Sequence, residues 1–315
     1  MKILITGVAG FIGSHLASRA LSDGHNVLGI DCFSDYYERE IKESNLEDIS
    51  CSSRFEFMED NLVTMDWEPV IGSVDIVYHL AAQAGVRASW GDSFKIYTDF
   101  NVLATQRLLE AAKSSSVQRI VYASSSSVYG DVDKFPMDES MYPRPVSPYG
   151  VTKLAGENLC VLYNKNFGLP TVSLRYFTVY GPRQRPDMAF HKIGRCLILG
   201  NMFELFGSGD QTRDFTYCSD AVEATYRAAF AEDVQGKIFN IGGGSRISLN
   251  NAIKIMETVY GKPLNINRQI IQKGDVKHTA ADISKAAEYL NYKPRFQLEE
   301  GLRNELKWLE TIYTR

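Results

Sequence analysis

Short apolar runs alternate with helical patterns through the first half of the chain, and this alternation constrains the fold more than any other feature. Lys2–Thr6, Asn26–Asp31 and residues 119–124 have the length and apolar character of strands that are covered on both faces. Residues 13–21 and 101–114 carry apolar side chains at helical spacing. Because strands joined through helices pair in parallel, the sequence predicts an α/β fold with a doubly wound parallel sheet. Further strands are predicted at residues 54–58, 74–80 and 171–175.

The regular alternation ends near residue 176, beyond which glycine and proline cluster and the helical patterns shorten. We expect a main α/β domain in residues 1–175 and a smaller, loop-rich α/β region in residues 176–315. The apolar run Ile238–Ile241 has the character of a buried strand, so we expect it to return to the main sheet.

Charge and cysteine content exclude several classes of function. Lys and Arg number 34 against 38 Asp and Glu, so the chain lacks the basic excess that suits a nucleic-acid backbone. No apolar run approaches the roughly 20 residues of a membrane-spanning helix, and the N-terminal segment lacks the layout of a signal peptide. The five cysteines are scattered without a paired spacing, which argues against a disulfide framework and a zinc site. We expect a cytoplasmic protein without a metal, a nucleic-acid partner or a membrane anchor.

A glycine-rich loop follows the first strand and opens the first helix. Gly7, Gly10 and Gly13 have the spacing G-x-x-G-x-x-G, which lets the backbone approach a pyrophosphate whose charge rests on the helix N-terminus. Asp31 ends the second strand, where a carboxylate accepts the ribose hydroxyls of NAD and repels the 2′-phosphate of NADP. No Arg or Lys adjoins Asp31 in the sequence. The pattern predicts a Rossmann-type NAD site; the alternative is a tight turn with a solvated aspartate.

Two further segments follow predicted strands of the same sheet. Residues 60–62 come after the third strand and could hydrogen-bond an adenine, but an ordinary loop explains them equally well. Residues 80–82 end the fourth strand and are small and apolar, which suits a wall against a flat cofactor. Both segments would extend the NAD site along the carboxyl edge of the sheet.

A tyrosine and a lysine stand four residues apart at the start of a predicted helix. Ser147 and Pro148 form a helix-start signal, so Tyr149 and Lys153 project from the same helix face. A tyrosine has a pKa of ~10, and lowering it to about 7 requires about 4 kcal/mol of preferential stabilisation of the phenolate. A buried ammonium and an oxidised nicotinamide ring can supply that stabilisation. The pair predicts a tyrosine acid/base; the alternative is an ordinary exposed Tyr/Lys pair.

A run of four serines lies at the end of the strand predicted at residues 119–124. Ser124 to Ser127 stand at the carboxyl end of that strand, where open parallel sheets bind their ligands. Hydroxyls at this point can exchange protons with a tyrosine and hydrogen-bond substrate oxygens. A plain polar loop is the alternative for this run alone, but the combination with the glycine loop, Asp31 and the Tyr/Lys pair indicates an enzyme.

These motifs together resemble the extended short-chain dehydrogenase/reductase family. The segments that carry the resemblance span nearly the whole chain and are residues 6–15, 79–82, 122–130, 149–153 and 213–217. Family members that resemble this chain act on nucleotide sugars. Residues 31–37, 82–87 and 175–188 are most similar to the UDP-glucuronate 4-epimerases of that family. The resemblance implies an NAD-dependent epimerase with a smaller C-terminal region that binds the nucleotide sugar.

The resemblance also implies roles for individual residues. Tyr149 is the acid/base, Lys153 is its electrostatic partner and a ligand of the nicotinamide ribose, and Ser125 bonds the sugar O4. The residues implied in NAD binding are Gly7, Gly10, Phe11, Ile12, Gly13, Asp31, Asp60, Asn61, Leu62, Leu80, Ala81, Ala82, Asn101, Tyr149 and Lys153. Those implied in substrate binding are Arg87, Ser125, Ser126, Ser127, Tyr149, Thr178, Arg185, Arg213 and Asp275. A homodimer is implied as well, with residues 101–114 and 149–167 of both copies forming a four-helix interface.

A uronic acid substrate adds a chemical demand. Once C4 is oxidised, the C6 carboxylate is β to a ketone and can leave as carbon dioxide. Ser126, Ser127 and Thr178 lie at strand ends where their hydroxyls can anchor the carboxylate, and each hydrogen bond to a charged group is worth about 1.5–3 kcal/mol. Water or a neutral 6-hydroxyl is the alternative partner of these hydroxyls, and Arg185 can bind carboxylate or diphosphate or be a surface charge. We therefore predict C4 epimerisation of UDP-glucuronate to UDP-galacturonate.

Four other functions compete with this prediction. A UDP-glucose 4-epimerase, the main alternative, uses the same chemistry on a neutral sugar, and a UDP-glucuronate decarboxylase lets the keto acid lose its carboxylate. A dTDP-glucose 4,6-dehydratase typically has Asp-Glu where this chain has Ser126 and Ser127, which argues against that activity. A non-catalytic NAD-binding sensor would not need the set of Tyr149, Lys153 and Ser125.

Overall fold

The computed structural model describes residues 1–270 and 276–314. The strands are β1 Lys2–Thr6, β2 Asn26–Asp31, β3 Phe55–Glu59, β4 Ile76–His79, β5 Arg119–Ser125, β6 Thr171–Tyr176, β7 Val179–Tyr180, β8 Phe203–Phe206, β9 Thr212–Asp214, β10 Thr216–Tyr217, β11 Ile238–Ile241, β12 Arg246–Ser248 and β13 Ile266–Gln269. The α-helices are α1 Phe11–Ser22, α2 Arg39–Ser44, α3 Glu47–Ser50, α4 Glu68–Ile71, α5 Phe94–Tyr97, α6 Ala104–Ala112, α7 Pro148–Phe167, α8 Ala189–Leu199, α9 Cys218–Phe230, α10 Leu249–Tyr260, α11 Ser284–Leu290 and α12 Leu298–Tyr313.

The main sheet has seven parallel strands in the order β11-β6-β5-β4-β1-β2-β3. β1 pairs with β2 on one side and with β4 on the other, so the strand order reverses at β1 and leaves a crevice beyond its carboxyl end. This arrangement confirms the predicted Rossmann-type, doubly wound α/β fold. β11 lies beside β6, so residues 238–241 belong to the main sheet.

Alternate residues of the central strands face opposite helical layers. Ile3 and Ile5 of β1 are fully buried on the face that also holds Leu16 of α1. Leu4, between them, is fully buried on the other face, together with Leu108 of α6. Helices therefore cover the sheet on both sides, and its carboxyl edge is left to the loops.

Helix α7 begins as the Ser147-Pro148 signal predicts. The Ser147 hydroxyl accepts a hydrogen bond from the Gly150 amide at 3.1 Å, and Pro148 occupies the first turn. The helix ends before Gly168, whose φ of 70° lies in the left-handed region. The cap fixes where the first turn starts, and therefore where Tyr149 points.

The helix predicted at residues 101–114 begins earlier in the structure. It starts as α5, passes through a π-helical turn at Thr98–Leu103 and continues as α6. A π turn inserts extra backbone into the helix and rotates all later residues. The apolar spacing is therefore interrupted near Asn101, which explains why the sequence pattern starts only there.

The described part of residues 176–315 contains three two-stranded sheets and helices α8 to α12. β7 pairs with β10 and β8 pairs with β13 in parallel, whereas β9 and β12 are antiparallel. α12 packs against α8 and α10. Across the described ranges 1–270 and 276–314, no helix is long and apolar enough to cross a membrane.

Glu305 of α12 generates a testable prediction. It is fully buried, one oxygen accepts the Gly181 amide at 2.9 Å, and the other oxygen has no partner among the described residues. Burial raises the pKa of Glu305 well above its usual range. The folded state therefore holds the proton more tightly than the unfolded chain does, so stability falls as the pH rises above about 4.3, the ordinary glutamate pKa.

Glu305→Gln keeps an acceptor for the Gly181 amide and cannot ionise. We expect its melting temperature to exceed that of the wild type at pH 8 and to change less between pH 5 and pH 8. The exposed Glu299 of the same helix provides the control, because Glu299→Gln should follow the wild-type pH dependence. A Glu305→Gln protein that melts below the wild type at pH 8 would contradict the prediction.

Candidate active site

A cavity opens at the carboxyl edge of the main sheet, and the glycine loop forms its floor. Gly7 has φ of 73°, and a Cβ on it would lie 2.7 Å from the Ala81 amide nitrogen. A Cβ on Gly13 would lie 2.1 Å from the Gly7 carbonyl oxygen. Only glycine allows β1, the loop and the residues after β4 to pack this closely. Every residue predicted to bind NAD lines the cavity except Asn101.

The N-terminus of α1 faces this cavity. Gly10 is the N-cap residue and provides no side-chain hydrogen bond to the first-turn amides. Gly10 and the three residues that follow it line the cavity. Unpaired amides at a helix N-terminus carry a partial positive charge and bind anions. The cavity floor therefore suits a phosphate group.

Asp31 lies in the cavity wall at the end of β2. Its carboxylate accepts hydrogen bonds from the amides of Ala9, at 3.1 Å, and Phe33, at 3.0 Å. Burial raises the pKa of Asp31, while these amides and the charge of Lys42 act in the opposite direction. Lys42 is separated from Asp31 in sequence but lines the same cavity, so a cation does stand near Asp31. The sequence neighbours of Asp31 gave no sign of it.

Residues 60–62 form a tight turn after β3. The Asp60 amide donates to the Asp31 carbonyl at 3.1 Å, which extends the parallel pairing of β2 and β3. The Asp60 carboxylate accepts the Asn61 amide at 2.7 Å, and the Asn61 side-chain oxygen accepts the Val63 amide at 2.9 Å. The Asp60 and Asn61 side chains thus shape the cavity wall by accepting hydrogen bonds from backbone amides of the same turn.

Asn101 lies behind the cavity wall. Its side-chain oxygen accepts the Gln83 amide at 2.7 Å, and its side-chain nitrogen donates to the Gln83 carbonyl and to Thr152 Oγ1, both at 3.0 Å. Thr152 precedes Lys153 on α7. Asn101 therefore ties the residues after β4 to the helix that carries the Tyr/Lys pair.

The structure brings Tyr149, Lys153 and Ser125 together. Tyr149 and Lys153 both line the cavity from α7, and the Ser125 hydroxyl at the end of β5 lies close enough to the Tyr149 phenol to lower its pKa. Ser125 Oγ also accepts the Ser127 amide at 3.1 Å, which fixes the orientation of the hydroxyl. This arrangement can pass a proton between the phenol and a bound hydroxyl group.

Burial and nearby groups act in opposite directions on the Tyr149 phenol. Burial raises the pKa of Tyr149, whereas the Arg185 charge and the Ser125 hydroxyl lower it. Burial lowers the pKa of Lys153 to about 7, and its ammonium group lies 4.6 Å from the centroid of the Tyr122 ring. The structure therefore adds Arg185 as a cation that acts on the phenol.

Arg185 lies in the cavity wall and is not an isolated surface charge. Its Nε and Nη2 atoms donate to the two carboxylate oxygens of Asp187, at 2.9 and 3.1 Å. The Tyr36 hydroxyl donates to the same carboxylate at 3.1 Å. The loop after β2 and the loop after β7 thus meet over the cavity, and Arg185 is fixed at their junction.

The three hydroxyls predicted to anchor a carboxylate lie at neighbouring strand ends. Ser126 and Ser127 form a short 3₁₀ turn directly after β5. Ser125 pairs in register with Tyr176 at the end of β6, and Thr178 follows two residues later. All three hydroxyl-bearing residues are partly exposed. They lie close to Ser125 along the chain or across the sheet, and none of them lines the cavity itself.

The remaining residues predicted to bind the substrate are Arg87, Arg213 and Asp275. The Arg87 guanidinium stands 4.7 Å from the centroid of the Phe206 ring at the end of β8. Arg213 on β9 donates to the carbonyls of Thr212, at 2.9 Å, and Lys277, at 3.2 Å. Asp275 lies outside the described residues. In the described ranges, no group of His, Cys, Asp or Glu side chains could hold a metal ion.

Several cavity residues were missed by the sequence analysis. The cavity is also lined by Tyr36, Tyr37, Lys42, Phe100 and Tyr176. They come from the β2–α2 loop, α2, the π-helical turn and the end of β6. The run at residues 31–37 was noticed only as part of the family resemblance, and nothing in the local pattern of Lys42 or Phe100 marks them as cavity residues.

Comparison with known proteins places the chain in a family. Residues 4–305 match the family model described as GDP-mannose 4,6 dehydratase. The chain is 45% identical over 314 residues to the uncharacterized UDP-glucose epimerase YtcB of Bacillus subtilis (strain 168), with 99% of each chain covered. The chain belongs to this family of short-chain dehydrogenase/reductase-type epimerases and dehydratases, which confirms the resemblance predicted from the motifs.

Two further relatives are named for a specific reaction. The UDP-glucuronate 4-epimerase of Thermodesulfobacterium geofontis (strain OPF15) is 38% identical over 309 residues, which cover 97% of this chain and 95% of the relative. A crystal structure of UDP-glucuronic acid 4-epimerase from Bacillus cereus, in complex with UDP-glucuronic acid and NAD, superposes with a TM-score of 0.97 and 43% identity. That superposition covers 99% of this chain and 100% of the other.

The close packing of the glycine loop generates the second prediction. Gly13→Ala places a methyl group against the Gly7 carbonyl, which is backbone and cannot move aside. We expect the free energy of unfolding to fall by about 1–3 kcal/mol, as for other overpacked sites, measured by urea denaturation. Gly72→Ala, at the exposed end of α4 with ordinary space for a methyl group, should stay within about 0.5 kcal/mol of the wild type. Equal stabilities of the two variants would refute the packing argument.

Proposed function

We propose that this protein is an NAD-dependent enzyme that epimerises C4 of a UDP-sugar and converts UDP-glucuronate to UDP-galacturonate. The observation that carries the proposal is the placement of Tyr149 and Lys153 in the cavity on which the glycine loop opens, with the Ser125 hydroxyl close enough to lower the pKa of the phenol. The epimerases of T. geofontis and B. cereus, which are similar over nearly their full length, support the choice of reaction.

The cavity fits NAD by its chemistry. The uncapped N-terminus of α1 suits a pyrophosphate, and a Cβ at Gly7 or Gly13 would clash within the loop that forms the cradle. Asp31 presents a carboxylate to the same cavity, as a ribose diol requires. We assign NAD binding to the predicted NAD-binding residues, which line this cavity except for Asn101, and to the domain of residues 1–175. Residues 176–315 are assigned mainly to the nucleotide sugar.

In the proposed mechanism, bound NAD accepts a hydride from C4 of the sugar and returns it. Tyr149 removes the proton of the 4-hydroxyl and gives it back after the 4-keto sugar has turned over in the site. Ser125 hydrogen-bonds both the phenol and the sugar O4, which keeps the proton path short. Lys153 supports the phenolate and holds the ribose of the cofactor, and Arg185 adds a second positive charge. The reaction has no net redox change.

The substrate must be held by a part that does not react, because the hexose has to rotate. We assign the UDP half to Arg87, Arg213 and Asp275. Arg87 lies in the 3₁₀ helix Arg87–Ser89 after β4, and Arg213 lies on β9 of the smaller region. Both side chains end in guanidinium groups, which suit diphosphate oxygens. Binding there leaves the sugar free to present either face.

A uronate places a carboxylate next to the oxidised carbon. Ser126, Ser127 and Thr178 lie at the ends of β5 and β6, next to Ser125, and we assign them to the carboxylate. Held in the plane of the ketone, the C5–C6 bond cannot align with the carbonyl π system, so decarboxylation is slow. Arg185, whose charge lowers the pKa of the phenol, is assigned to the same acidic substrate.

A UDP-glucose 4-epimerase is the second candidate function. The name of the B. subtilis relative YtcB, at 45% identity, favours it. The same proton path serves either sugar, and the difference lies in the group at C6. The hydroxyls that could anchor a carboxylate could equally bond a neutral 6-hydroxyl, so product analysis must decide.

The first test supplies UDP-glucuronate and UDP-glucose separately to the purified protein and resolves the products by NMR. We expect UDP-galacturonate from the acid and little UDP-galactose from the neutral sugar. Tyr149→Phe should abolish turnover because it lacks the hydroxyl that moves the proton, while bound NAD is retained. Formation of UDP-galactose with the acid untouched would move the protein to the second candidate function.

The anchoring role of the hydroxyls is tested by product ratio. Ser127→Ala combined with Thr178→Ala removes two hydrogen bonds to a charged group, each worth about 1.5–3 kcal/mol. We expect the ratio of carbon dioxide release to epimer formation to rise at least about tenfold. The exposed pair Ser22→Ala and Thr258→Ala makes the same chemical changes on the surface and should leave the ratio unchanged. An unaltered ratio in the first double variant would remove the anchoring role.

We further propose that the protein is a cytoplasmic homodimer. Large apolar side chains are exposed on α5, the π-helical turn and α7; they include Phe94, Leu103, Val151, Leu162 and Phe167. Such an apolar face is buried when two copies pair as a four-helix interface. The five cysteines are free thiols, which suits a reducing compartment.

A further inference from the structure

A buried charged cluster lies behind the cavity, and we name Ser124, Glu157 and Arg175 the Glu157 cluster. The Glu157 and Arg175 side chains are 1% and 2% exposed. Arg175 Nη2 donates to Glu157 Oε1 at 2.7 Å, and Arg175 Nε donates to Oε2 at 2.9 Å. The Ser124 hydroxyl donates to the same Oε2 atom at 2.7 Å. One carboxylate is therefore held from two strands at once.

The cluster joins the elements that carry the proton path. Glu157 lies one turn beyond Lys153 and two turns beyond Tyr149, so all three share a face of α7. Ser124 directly precedes Ser125 on β5, and Arg175 lies beside Ser124 in the register of β5 and β6. The cluster thus sets the spacing between the helix that carries the phenol and the strand that carries its hydroxyl partner.

Stability alone gives a weak reason for this cluster. The cost of removing two charges from water offsets much of their attraction, and apolar replacements of buried ion pairs are often neutral or stabilising. α7 and β5 already pack closely without it, since a Cβ on Gly156 would lie 2.2 Å from the Tyr122 hydroxyl. The position of the cluster directly behind Lys153 therefore points to a functional role.

Lys153 is buried among groups that are mostly neutral. The titratable groups around it are Tyr149, Glu157 and Cys160 on α7, Tyr122 on β5 and His79 on β4, with Arg175 of β6 behind Glu157. Burial lowers the pKa of His79 to about 3 and raises that of Cys160 to about 12, so both are uncharged near pH 7. Burial also lowers the pKa of Lys153 to about 7, and the Glu157 charge opposes that effect.

We propose that Glu157, held by Ser124 and Arg175, is a positioning residue for the epimerisation, which fixes Lys153 and Tyr149 against Ser125. Its negative charge also favours the ammonium form of Lys153. The inference rests on the proposed function, because it assigns Glu157 a role in the same proton path. Glu157 acts through Lys153 and through the position of α7, and is not itself a catalytic residue.

The test measures Glu157→Gln with UDP-glucuronate and with UDP-glucose across the pH range. A displaced helix should lower kcat by about 10- to 100-fold, with KM for the UDP-sugar and bound NAD nearly unchanged. Since Lys153 then loses its proton at lower pH, the fall of kcat on the alkaline side should also move to lower pH. Ser124→Ala removes one hydrogen bond and keeps both charges, so it should lower kcat less and leave the alkaline fall in place.

Two controls separate this role from general damage. Glu223 of α9 forms a similar cluster with Arg19 and Arg227 on the other side of the sheet, so Glu223→Gln should keep wild-type kcat and pH dependence. Glu157→Gln combined with Arg175→Gln removes both charges together. This double variant avoids a lone buried arginine, and its melting temperature shows whether it is folded.

The outcomes are distinct. A wild type that converts neither UDP-sugar refutes the proposed function, and the role of Glu157 falls with it. Suppose that the wild type is active and that a folded Glu157→Gln or Glu157→Gln/Arg175→Gln protein keeps the wild-type kcat and pH dependence. This result overturns the role of Glu157 and leaves the proposed function in place. If Glu157→Gln does not fold, the Glu157→Gln/Arg175→Gln and Ser124→Ala proteins provide the test. A kcat equal to that of the wild type in both of these proteins overturns the inference. Reduced kcat with the shifted alkaline fall supports it.

Discussion

Parallel pairing of the seven-stranded sheet is the constraint on which the rest of the structure depends. Because all strands point the same way, the loops after β1, β2, β4 and β5 open at one edge, and that edge carries the cavity. The register of β5 and β6 sets Ser125 opposite Tyr176, and the register of β1 and β4 sets Thr6 opposite His79. Side chains that are far apart in the chain thus meet because the backbone hydrogen bonds of the sheet fix their positions.

Two carboxylates act on the cations around the Tyr149 phenol. Arg185 is paired with Asp187 on the side of the cavity, and Lys153 is supported by Glu157 from behind. A buried cation without such a partner would lose its proton or its position. The pairing therefore lets the site keep positive charge next to a phenol at a place that water barely reaches.

Local signals in the sequence were sufficient for the elements that have strong boundaries. The two strands that flank the glycine loop were predicted to the residue, and the Ser147-Pro148 cap located the start of α7. The predicted start of the helix at residues 101–114 was wrong, because a π-helical turn changes the residue spacing on which the prediction relied. Lys42 was missed because its proximity to Asp31 depends on where α2 lies relative to β2. No local sequence pattern determines that position.

The sequence by itself determined the fold class and the glycine loop, and it predicted the set of Tyr149, Lys153 and Ser125, since each of these depends on residue type and local spacing. Only the tertiary structure decided which charges act on these groups. Arg185 reaches the phenol through the loop after β7, and Glu157 is held by Ser124 and Arg175 from two strands. Electrostatic interactions depend on distance and burial in space, and neither can be read from separation along the chain.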